Sequence, residues 1–377
     1  MNKNMSRKIK ILQFPIAASK GGITQYALQN WKFIDKSRFQ FDFATMSKSL
    51  NFAKELEQSG SKIHYISCYA EEDKEKFIGE FRKILSEGSY DVVHLHTKQW
   101  KSFYVEEVAK EVGVKKIIVH AHSSGIDTLD EKLRKAEIQL HNSVLKNLKE
   151  ETGTDYWACS KRAAEFLFGN KIEKTRIKIM KNAIDLSRFK FDIQTRMEYR
   201  KALGVEEKFV IGNVGRLAYP KNQDFLLKVF ENLSAVCDSC VLILTGTGEN
   251  EKTYKKYVKE KGLEDKVLFL GQRDDVPGLL QAMDIFALPS KFEGLPIGAV
   301  EAQAAGLKCI CSDGITKEIK ITDNIKFVPL DIELWKNEFL EQMGNYERKD
   351  MTQIMAAAGY DILSAVKEIE NEYSRVD

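Results

Sequence analysis

Two glutamates in the last third of the chain have a spacing that suits one elongated, hydroxyl-bearing ligand. Glu293 lies in ALPSKFEGLPIGAVEAQAAG, in a loop after an apolar strand, and Glu301 lies in the Ala-rich helix that begins near Pro296. At a rise of ~1.5 Å per residue, Glu301 is only several ångströms from the loop. The N–H groups of Gly294, Leu295 and the helix start can hold a diphosphate between the carboxylates. The same spacing would also arise without any ligand, with one carboxylate in a loop and the other on a solvated helix surface.

A pair of basic residues follows an earlier apolar strand. In VGRLAYPKNQDFLL, Arg216 and Lys221 lie in the loop before a helix for which Asn222 is a candidate cap. Two cations in such a turn can neutralise a pyrophosphate, although two solvated surface charges would give the same pattern. The next strand ends in LTGTGE, where Gly246 indicates a tight connection or a close approach to a ligand. Together, the two turns predict a phosphate-bearing ligand at this sheet edge.

The first strand-to-helix turn also has a glycine pair. Gly21 and Gly22 in PIAASKGGITQY precede a helix, whose N-terminus favours an anion. Asp42 could bind a ribose in a nicotinamide fold, but the glycines lack the G-x-G-x-x-G spacing and FQFDF places Asp42 inside a strand. We therefore do not favour dinucleotide binding here. His94 and His96 in DVVHLHTK are interpreted as structural.

The elements that must position these turns alternate along the whole chain. Apolar strands are followed by amphipathic helices, and the pattern restarts after a polar, charge-rich passage at about 186–208. We expect an α/β protein with two doubly wound Rossmann-like domains facing across a cleft. The predicted domains are 1–185 and 186–355, with a C-terminal helix at 356–377 that could pack back on the first domain. The predicted helices are 23–34, 48–59, 73–87, 101–112, 128–150, 161–168, 222–235, 250–262, 275–283, 296–305 and 352–373.

The composition is that of an ordinary globular protein. Of 377 residues, 43% are hydrophobic and 30% are charged, and the net charge of +3 is too small to favour nucleic acid as a partner. No stretch approaches the roughly 18 apolar residues that a membrane span requires. We expect a cytoplasmic protein.

The six cysteines are too few for a disulfide framework in a chain of this length. Cys237 and Cys240, with Cys309 and Cys311, could be drawn as four zinc ligands, but both pairs adjoin apolar strands. We expect reduced thiols and no metal site.

In combination, these motifs resemble the family 4 retaining glycosyltransferases, which use nucleotide-sugar donors and have the GT-B fold. The resemblance covers essentially the whole chain. It rests on the early Gly-Gly, NAIDLSRF, VGRLxxxKN, LTGTGE, FLGQRDDVPGLLQAMDIFALPS and the EGLPxxxxE segment that contains the two glutamates. The stretch IIVHAHSSG is most similar to members that build bacterial capsules and exopolysaccharides.

The resemblance implies a role for each candidate residue, with the donor held mainly by the second domain. Arg216 and Lys221 match the basic pair that binds the donor diphosphate and stabilises the leaving group without a metal. Glu293 matches the acid beside the donor sugar, and Glu301 matches the acid that binds the ribose hydroxyls. The other donor-binding positions are Gly294, Leu295 and Pro296 in a backbone cradle, Gly246 in the second turn, Arg273 and Val276 in the base-binding loop 272–276, and Gly22 in the loop that closes over the phosphates.

A histidine of the first domain is also implied. His122 matches the histidine that faces the donor sugar, although an alignment shifted by two residues would select His120. The early loop GGITQY lacks the acidic residue that often follows the glycines in this family. Acceptor contacts in that loop are therefore unassigned.

The implied reaction is front-face displacement with retention, without a cofactor and without a protein nucleophile. A hexose or N-acetylhexosamine would move from a nucleotide sugar, with UDP favoured, to a hydroxyl of a glycan or undecaprenyl-linked acceptor. Peripheral contact with an anionic membrane is also implied, and the helix at about 130–151, with KQWKSFY, supplies basic and apolar side chains for it. Two alternatives stay open: a sugar-nucleotide 2-epimerase, which needs no acceptor, and a non-enzymatic two-domain sugar-binding protein.

Overall fold

The computed structural model describes residues 7–18, 21–344 and 347–376. Its strands are β1 (Ile9–Phe14), β2 (Phe39–Thr45), β3 (Ile63–Tyr65), β4 (Val92–Thr97), β5 (Lys116–Ala121), β6 (Asp155–Ala158), β7 (Ile177–Ile179), β8 (Phe209–Val214), β9 (Cys240–Thr245), β10 (Val267–Gly271), β11 (Ile285–Leu288), β12 (Lys308–Ser312) and β13 (Ile325–Val328). Its α-helices are α1 (Gly22–Phe33), α2 (Ala53–Gln58), α3 (Lys74–Gly88), α4 (Tyr104–Glu111), α5 (Glu131–Leu145), α6 (Lys161–Phe168), α7 (Ile193–Leu203), α8 (Gln223–Ser234), α9 (Glu251–Glu260), α10 (Val276–Ala282), α11 (Ile297–Ala304), α12 (Ile332–Gln342), α13 (Thr352–Ala357) and α14 (Ile362–Tyr373).

The strands form two parallel sheets, one in each of two compact units. The first unit comprises Met1–Ile126, Lys132–Asn182 and Ile362–Asp377, and the second comprises Asp127–Glu131 and Ala183–Asp361. The strand order is β3-β2-β1-β4-β5-β6-β7 in the first unit and β10-β9-β8-β11-β12-β13 in the second. The prediction of two doubly wound α/β domains is confirmed.

Each sheet begins in its middle and is wound outward in both directions. β1 pairs with β2 on one side and with β4 on the other, and β8 pairs with β9 and β11 in the same way. Ligands of such sheets bind at the carboxyl ends of the two strands where the winding direction reverses. In the second unit those strands are β8 and β11.

The strands of both sheets are apolar because helices cover both faces of each sheet. Every residue of β5 and every residue of β9 is buried. In the second unit, Phe230 of α8 joins a core cluster with Trp335 and Phe339 of α12. Burial on both faces explains why these strands appear as continuous apolar runs rather than alternating patterns.

Most predicted helices agree with the observed ones to within a few residues, and α6 has the predicted bounds. Two helices were not predicted. α7 lies inside the polar passage at 186–208, and its Arg196 and Arg200 pair with Asp284. This helix packs largely through ion pairs, so it lacks the apolar stripe on which the prediction relied. α12 was also missed, although its Trp335 is completely buried.

The predicted final helix at 352–373 is wrong, because two helices occupy this segment. α13 ends at Ala357, Gly359 has a φ of 82°, and α14 begins at Ile362. A left-handed glycine at this point ends the first helix. The unit boundaries lie at 182/183 and 361/362, whereas the sequence predicted 185/186 and 355/356.

The expectation of six reduced thiols is wrong for one pair. Cys237 and Cys240 form a disulfide with their Cα atoms 5.8 Å apart, within the range that a disulfide spans. Cys309 and Cys311 are free and buried. Two of the four residues considered as zinc ligands are therefore bonded to each other.

Candidate functional site

The candidate residues of the second unit follow the two central strands of its sheet. Arg216 and Lys221 lie in the connection after β8, and Glu293 lies in the connection after β11. Asn222 was expected to cap α8, but its side chain donates instead to the Pro289 carbonyl at 3.0 Å. This hydrogen bond joins the two connections at the point where the winding direction reverses.

Lys221 and Glu293 form a direct ion pair at this point. Lys221 Nζ donates to Glu293 Oε1 at 2.6 Å, and the Ser290 hydroxyl donates to the same oxygen at 2.8 Å. The two charged side chains are 24% and 12% exposed, so solvent screens the pair only in part. The Lys221 stem passes Gly215, where a Cβ would lie 3.5 Å from Lys221 Cε. The arrangement therefore holds a cation and a carboxylate side by side at the carboxyl ends of β8 and β11.

Arg216 is more open to solvent. Its guanidinium donates to the Asp127 carboxylate, lies 3.7 Å from Glu249 and is 47% exposed. Asp127 clusters with the second unit although it follows β5 in sequence. An exposed ion pair is worth about 0–1 kcal/mol. An anion of higher charge could therefore replace the carboxylate at little cost.

Two glycines let the turns after β8 and β9 pack backbone against backbone. Gly246 has a φ of 128°, and a Cβ there would lie 2.1 Å from the Gly215 carbonyl oxygen. A Cβ at Gly248 would lie 2.3 Å from the Leu217 carbonyl oxygen. The Gly215 N–H donates to the Thr245 carbonyl at 2.9 Å, which holds the two turns together. The tight connection alone explains these glycines, and a ligand contact at Gly246 stays a prediction.

Glu301 lies on α11, the helix that follows the Glu293 loop, and is partly buried. Burial raises the pKa of Glu301 to about 7, and the positive charge of Arg188 opposes this rise. Burial therefore disfavours the ionised carboxylate, and a ligand that donates hydroxyl hydrogen bonds to Glu301 would favour that ionised form.

The start of α11 lies against the end of β8. Pro296 is its N-cap residue, and a Cβ at Gly298 would lie 3.2 Å from the Val214 carbonyl oxygen. Leu295 is buried, with only 5% of its surface exposed. The cradle predicted for Gly294, Leu295 and Pro296 is thus adjacent to the turn that carries Arg216, and its ligand stays a prediction.

Arg273 and Val276 lie at the beginning of α10. Arg273 Nε donates to Asp275 Oδ1 at 2.7 Å, and Tyr199 donates to Asp275 Oδ2 at 3.1 Å. The Arg273 hydrogen bond is the main reason that the pKa of Asp275 falls to about 2. Val276 is the first residue of the helix. The loop is therefore fixed by its own polar contacts, and base binding stays a prediction.

Two predicted residues belong to the first unit. Gly22 begins α1, and a Cβ there would meet no atom within 4 Å, so packing does not require this glycine. Ser19 and Lys20 of the same motif lie outside the described residues. His120 is completely buried, whereas His122, directly after β5, is half-buried. Of the two histidines, His122 is the one with surface that a ligand could contact.

Comparison with known proteins shows which enzymes the chain resembles. The profile of the group 1 glycosyl transferases matches residues 195–326. The chain is 28% identical to the putative glycosyltransferase EpsF of Bacillus subtilis, over 99% of this chain and 98% of that protein. The chain is thus similar to glycosyltransferases along its whole length, and residues 195–326 match the group 1 profile. It is also 26% identical to the UDP-Gal:alpha-D-GlcNAc-diphosphoundecaprenol alpha-1,3-galactosyltransferase of Escherichia coli, over 82% of this chain and 81% of that protein.

The fold of this glycosyltransferase is also that of solved structures. Anabaena Alr3699/HepE in complex with UDP superimposes with a TM-score of 0.75 at 18% identity, covering 98% of this chain and 100% of that one. At this identity the similarity establishes the GT-B fold alone.

Three residues of the candidate site were given no role from the sequence. Ser290 bonds to Glu293, Arg188 acts on Glu301, and Asp127 pairs with Arg216. Ser290 and Arg188 lie inside motifs that carried the resemblance, so their positions were the available signal. Asp127 lies far from Arg216 in sequence, and we find no sequence signal for that pair.

Proposed function

We propose that this glycosyltransferase moves a hexose or N-acetylhexosamine from a UDP-sugar to a hydroxyl of a glycan or undecaprenyl-linked acceptor in cell-surface polysaccharide synthesis. The E. coli relative supports both substrate classes, because its name gives UDP-galactose as donor and a diphosphoundecaprenol-linked sugar as acceptor. The HepE complex with UDP supports the choice of base. Retention of configuration rests on the resemblance of EGLPxxxxE to family 4.

The observation that carries the proposal is the Lys221–Glu293 ion pair beside the ends of β8 and β11. A departing nucleoside diphosphate gains negative charge, and a fixed cation stabilises that charge most in the transition state. Lys221 and Arg216 supply this charge without a metal ion. Glu293 orients the sugar hydroxyls, Glu301 binds the ribose, and the leaving phosphate helps to deprotonate the acceptor hydroxyl. His122 contacts the donor sugar.

The test replaces Lys221 by Met and measures UDP release with and without acceptor. Loss of a cation at the leaving group should lower kcat/KM by about 10²–10³-fold. Lys255→Met is the matched control, because Lys255 also pairs with a glutamate, Glu251, at 2.7 Å in the same unit. We expect the control to stay within about twofold of the unchanged enzyme, as exposed pairs contribute little. Turnover by Lys221→Met equal to the control would refute the assignment, and acceptor-independent conversion of the donor would indicate an epimerase.

We also propose peripheral contact with the inner face of an anionic membrane through α5. Leu133 and Leu140 share one face of this helix and are 54% and 43% exposed, with Lys132 and Lys135 nearby. None of the described helices has the length and hydrophobicity to cross a bilayer. Vesicle flotation should recover the protein with anionic vesicles and not with neutral ones, and Leu133→Glu with Leu140→Glu should abolish recovery. Failure to float with anionic vesicles would contradict this contact.

A further inference from the structure

Four histidines of the first unit form two hydrogen-bonded pairs across β4 and β5. His94 Nε2 lies 3.0 Å from His120 Nδ1, and His96 Nδ1 lies 3.0 Å from His122 Nε2. The ring of Tyr26 packs edge-on against all four imidazoles. His94, His96 and His120 are buried, and His122 is the member that reaches the surface.

One buried amide joins the two pairs. Gln13 of β1 is 1% exposed, and its Oε1 lies 2.8 Å from His96 Nε2. Its Nε2 donates at 3.1 Å to the Tyr373 hydroxyl, which lies 2.6 Å from His94 Nδ1. Two chains of hydrogen bonds therefore begin at Gln13. The first runs through His96 to His122, and the second runs through Tyr373 and His94 to His120.

In each chain of hydrogen bonds, every imidazole can donate on one side and accept on the other, because the imidazoles are neutral. Burial is the main cause that lowers the pKa of all four histidines below the usual value, and the neighbouring histidines lower several of them further. A neutral imidazole has one N–H and one lone pair, so a hydrogen bond at one nitrogen decides what the other nitrogen can do.

The amide oxygen of Gln13 can only accept, so His96 must donate to it from Nε2. His96 Nδ1 then has the lone pair and accepts from His122 Nε2. His122 is left with a lone pair at Nδ1. In the second chain, the Gln13 amide donates to Tyr373, whose own hydrogen then points at His94 Nδ1.

We propose that Gln13 is a positioning residue that fixes the tautomer of His122, with the hydrogen at Nε2 and the lone pair at Nδ1. The assignment of a ligand to that lone pair, a hydroxyl of the donor sugar, rests on the proposed function. The tautomer itself follows from contacts within the first unit and does not depend on any activity.

A bound metal ion is the competing occupant of this cluster. One nitrogen from each of His94, His96 and His120 lies within 4.8 Å of the others, which a metal could exploit. However, both nitrogens of His94 and of His96 already have partners in the two chains. A metal would have to break these hydrogen bonds.

The experiment is nitrogen NMR of the full chain labelled with ¹⁵N-histidine. The unchanged protein should show His122 protonated at Nε2, and Gln13→Met, which has no acceptor, should lose this preference. Gln13→Glu keeps an oxygen facing His96 and should restore the Nε2–H form. Tyr373→Phe breaks only the other chain and should leave His122 unaltered.

Three results would overturn the proposal: protonation of His122 at Nδ1 in the unchanged protein, a Gln13→Met spectrum with the same tautomer, or Zn²⁺ binding that shifts all four imidazoles. Should Gln13→Met fail to fold, the spectra of the unchanged protein and of Gln13→Glu still decide.

Kinetics separate this proposal from the function on which it rests. Loss of a group that orients a metal-ligating histidine costs about 10–100-fold. By analogy, we expect kcat of Gln13→Met to fall in that range and Gln13→Glu to recover much of it. If the tautomer is as stated while His122→Ala keeps full turnover, the donor assignment of His122 fails and the role of Gln13 in setting the tautomer stands.

Discussion

Replacing Glu301 by Gln should stabilise the free protein above neutral pH and at the same time weaken donor binding. Burial raises the pKa of Glu301 from 4.5 to about 7 on folding. Between these values the folded chain holds a proton that the unfolded chain has released, so stability falls as the pH rises from about 4.5 to about 7 and then levels off. At about 1.4 kcal/mol per pH unit over these roughly 2.5 units, the loss is at most ~3.5 kcal/mol. Solvent at this partly buried site reduces it to roughly 1–3 kcal/mol.

Urea unfolding at pH 5 and pH 8 measures this difference. Glu301→Gln should resemble the unchanged protein at pH 5 and exceed its stability at pH 8, because the amide is never ionised. Glu106 on α4 is a matched control, since burial raises its pKa to about 7 as well. Glu106→Gln should show the same gain in stability without any change in donor affinity. An equal effect of Glu301→Gln at both pH values would refute the titration on which this prediction depends.

Donor affinity supplies the second half of this prediction. Under the proposed function, the ribose hydroxyls donate to the ionised Glu301 carboxylate, so binding of UDP-glucose should strengthen as the pH rises through about 7. Removing a hydrogen-bonded charge typically costs about 1.5–3 kcal/mol, so Glu301→Gln should bind roughly 10- to 100-fold more weakly at pH 8 and lose the pH dependence. Calorimetry on both variants and on Glu106→Gln tests this. Unchanged affinity in Glu301→Gln would remove Glu301 from the donor site.

The remaining predictions concern the glycine turn after β9, the Asp127–Arg216 ion pair and the absence of a metal requirement. Gly246→Ala should unfold or lose donor binding, because the new Cβ would lie 2.1 Å from the Gly215 carbonyl oxygen. Gly262→Ala is the control, because Gly262 has a φ of 62° but lies in open space. In a denaturation curve, Gly262→Ala should lower the free energy of unfolding by only about 1 kcal/mol. Equal losses in the two would contradict the packing of the turns. Asp127→Asn should tighten UDP binding up to about fivefold in calorimetry, because it frees Arg216 from an exposed ion pair; weaker binding would show that Asp127 helps to hold the donor. EDTA should leave turnover unchanged, and recovery by Mg²⁺ after loss would refute metal independence.

The fold could be predicted largely from the sequence because the central strands of a doubly wound sheet are buried on both faces. The run CVLILT is buried throughout and could hardly be anything but a central strand. Helix α7 escaped prediction because its contacts are polar: Arg200 donates to the Ala282 carbonyl and to Asp284, which no apolar periodicity records. The break at Gly359 was missed because one glycine in a helical pattern is often tolerated.

The site could be predicted only as far as residue types at strand ends allow. Lys221 and Glu293 were selected separately, each for its place after a strand, and the strand order brings them to 2.6 Å. Their partners could not be foreseen in the same way. The role of Gln13 depends on a register that aligns β1 with β4, which a single sequence does not reveal.

Both cations proposed to meet the diphosphate are paired with carboxylates in the free protein, but the two pairs differ in exposure. Two uncompensated positive charges in one turn would repel each other, and the acids relieve this repulsion before a ligand arrives. Arg216 is 47% exposed, so a diphosphate can displace Asp127 at small cost. Lys221 and Glu293 are less exposed and share Ser290, so this pair should persist and meet the phosphate on one side and the sugar on the other. Under the proposed function, one cation therefore exchanges its partner on binding while the other remains in place, and the fixed pair determines where the leaving group lies relative to the sugar.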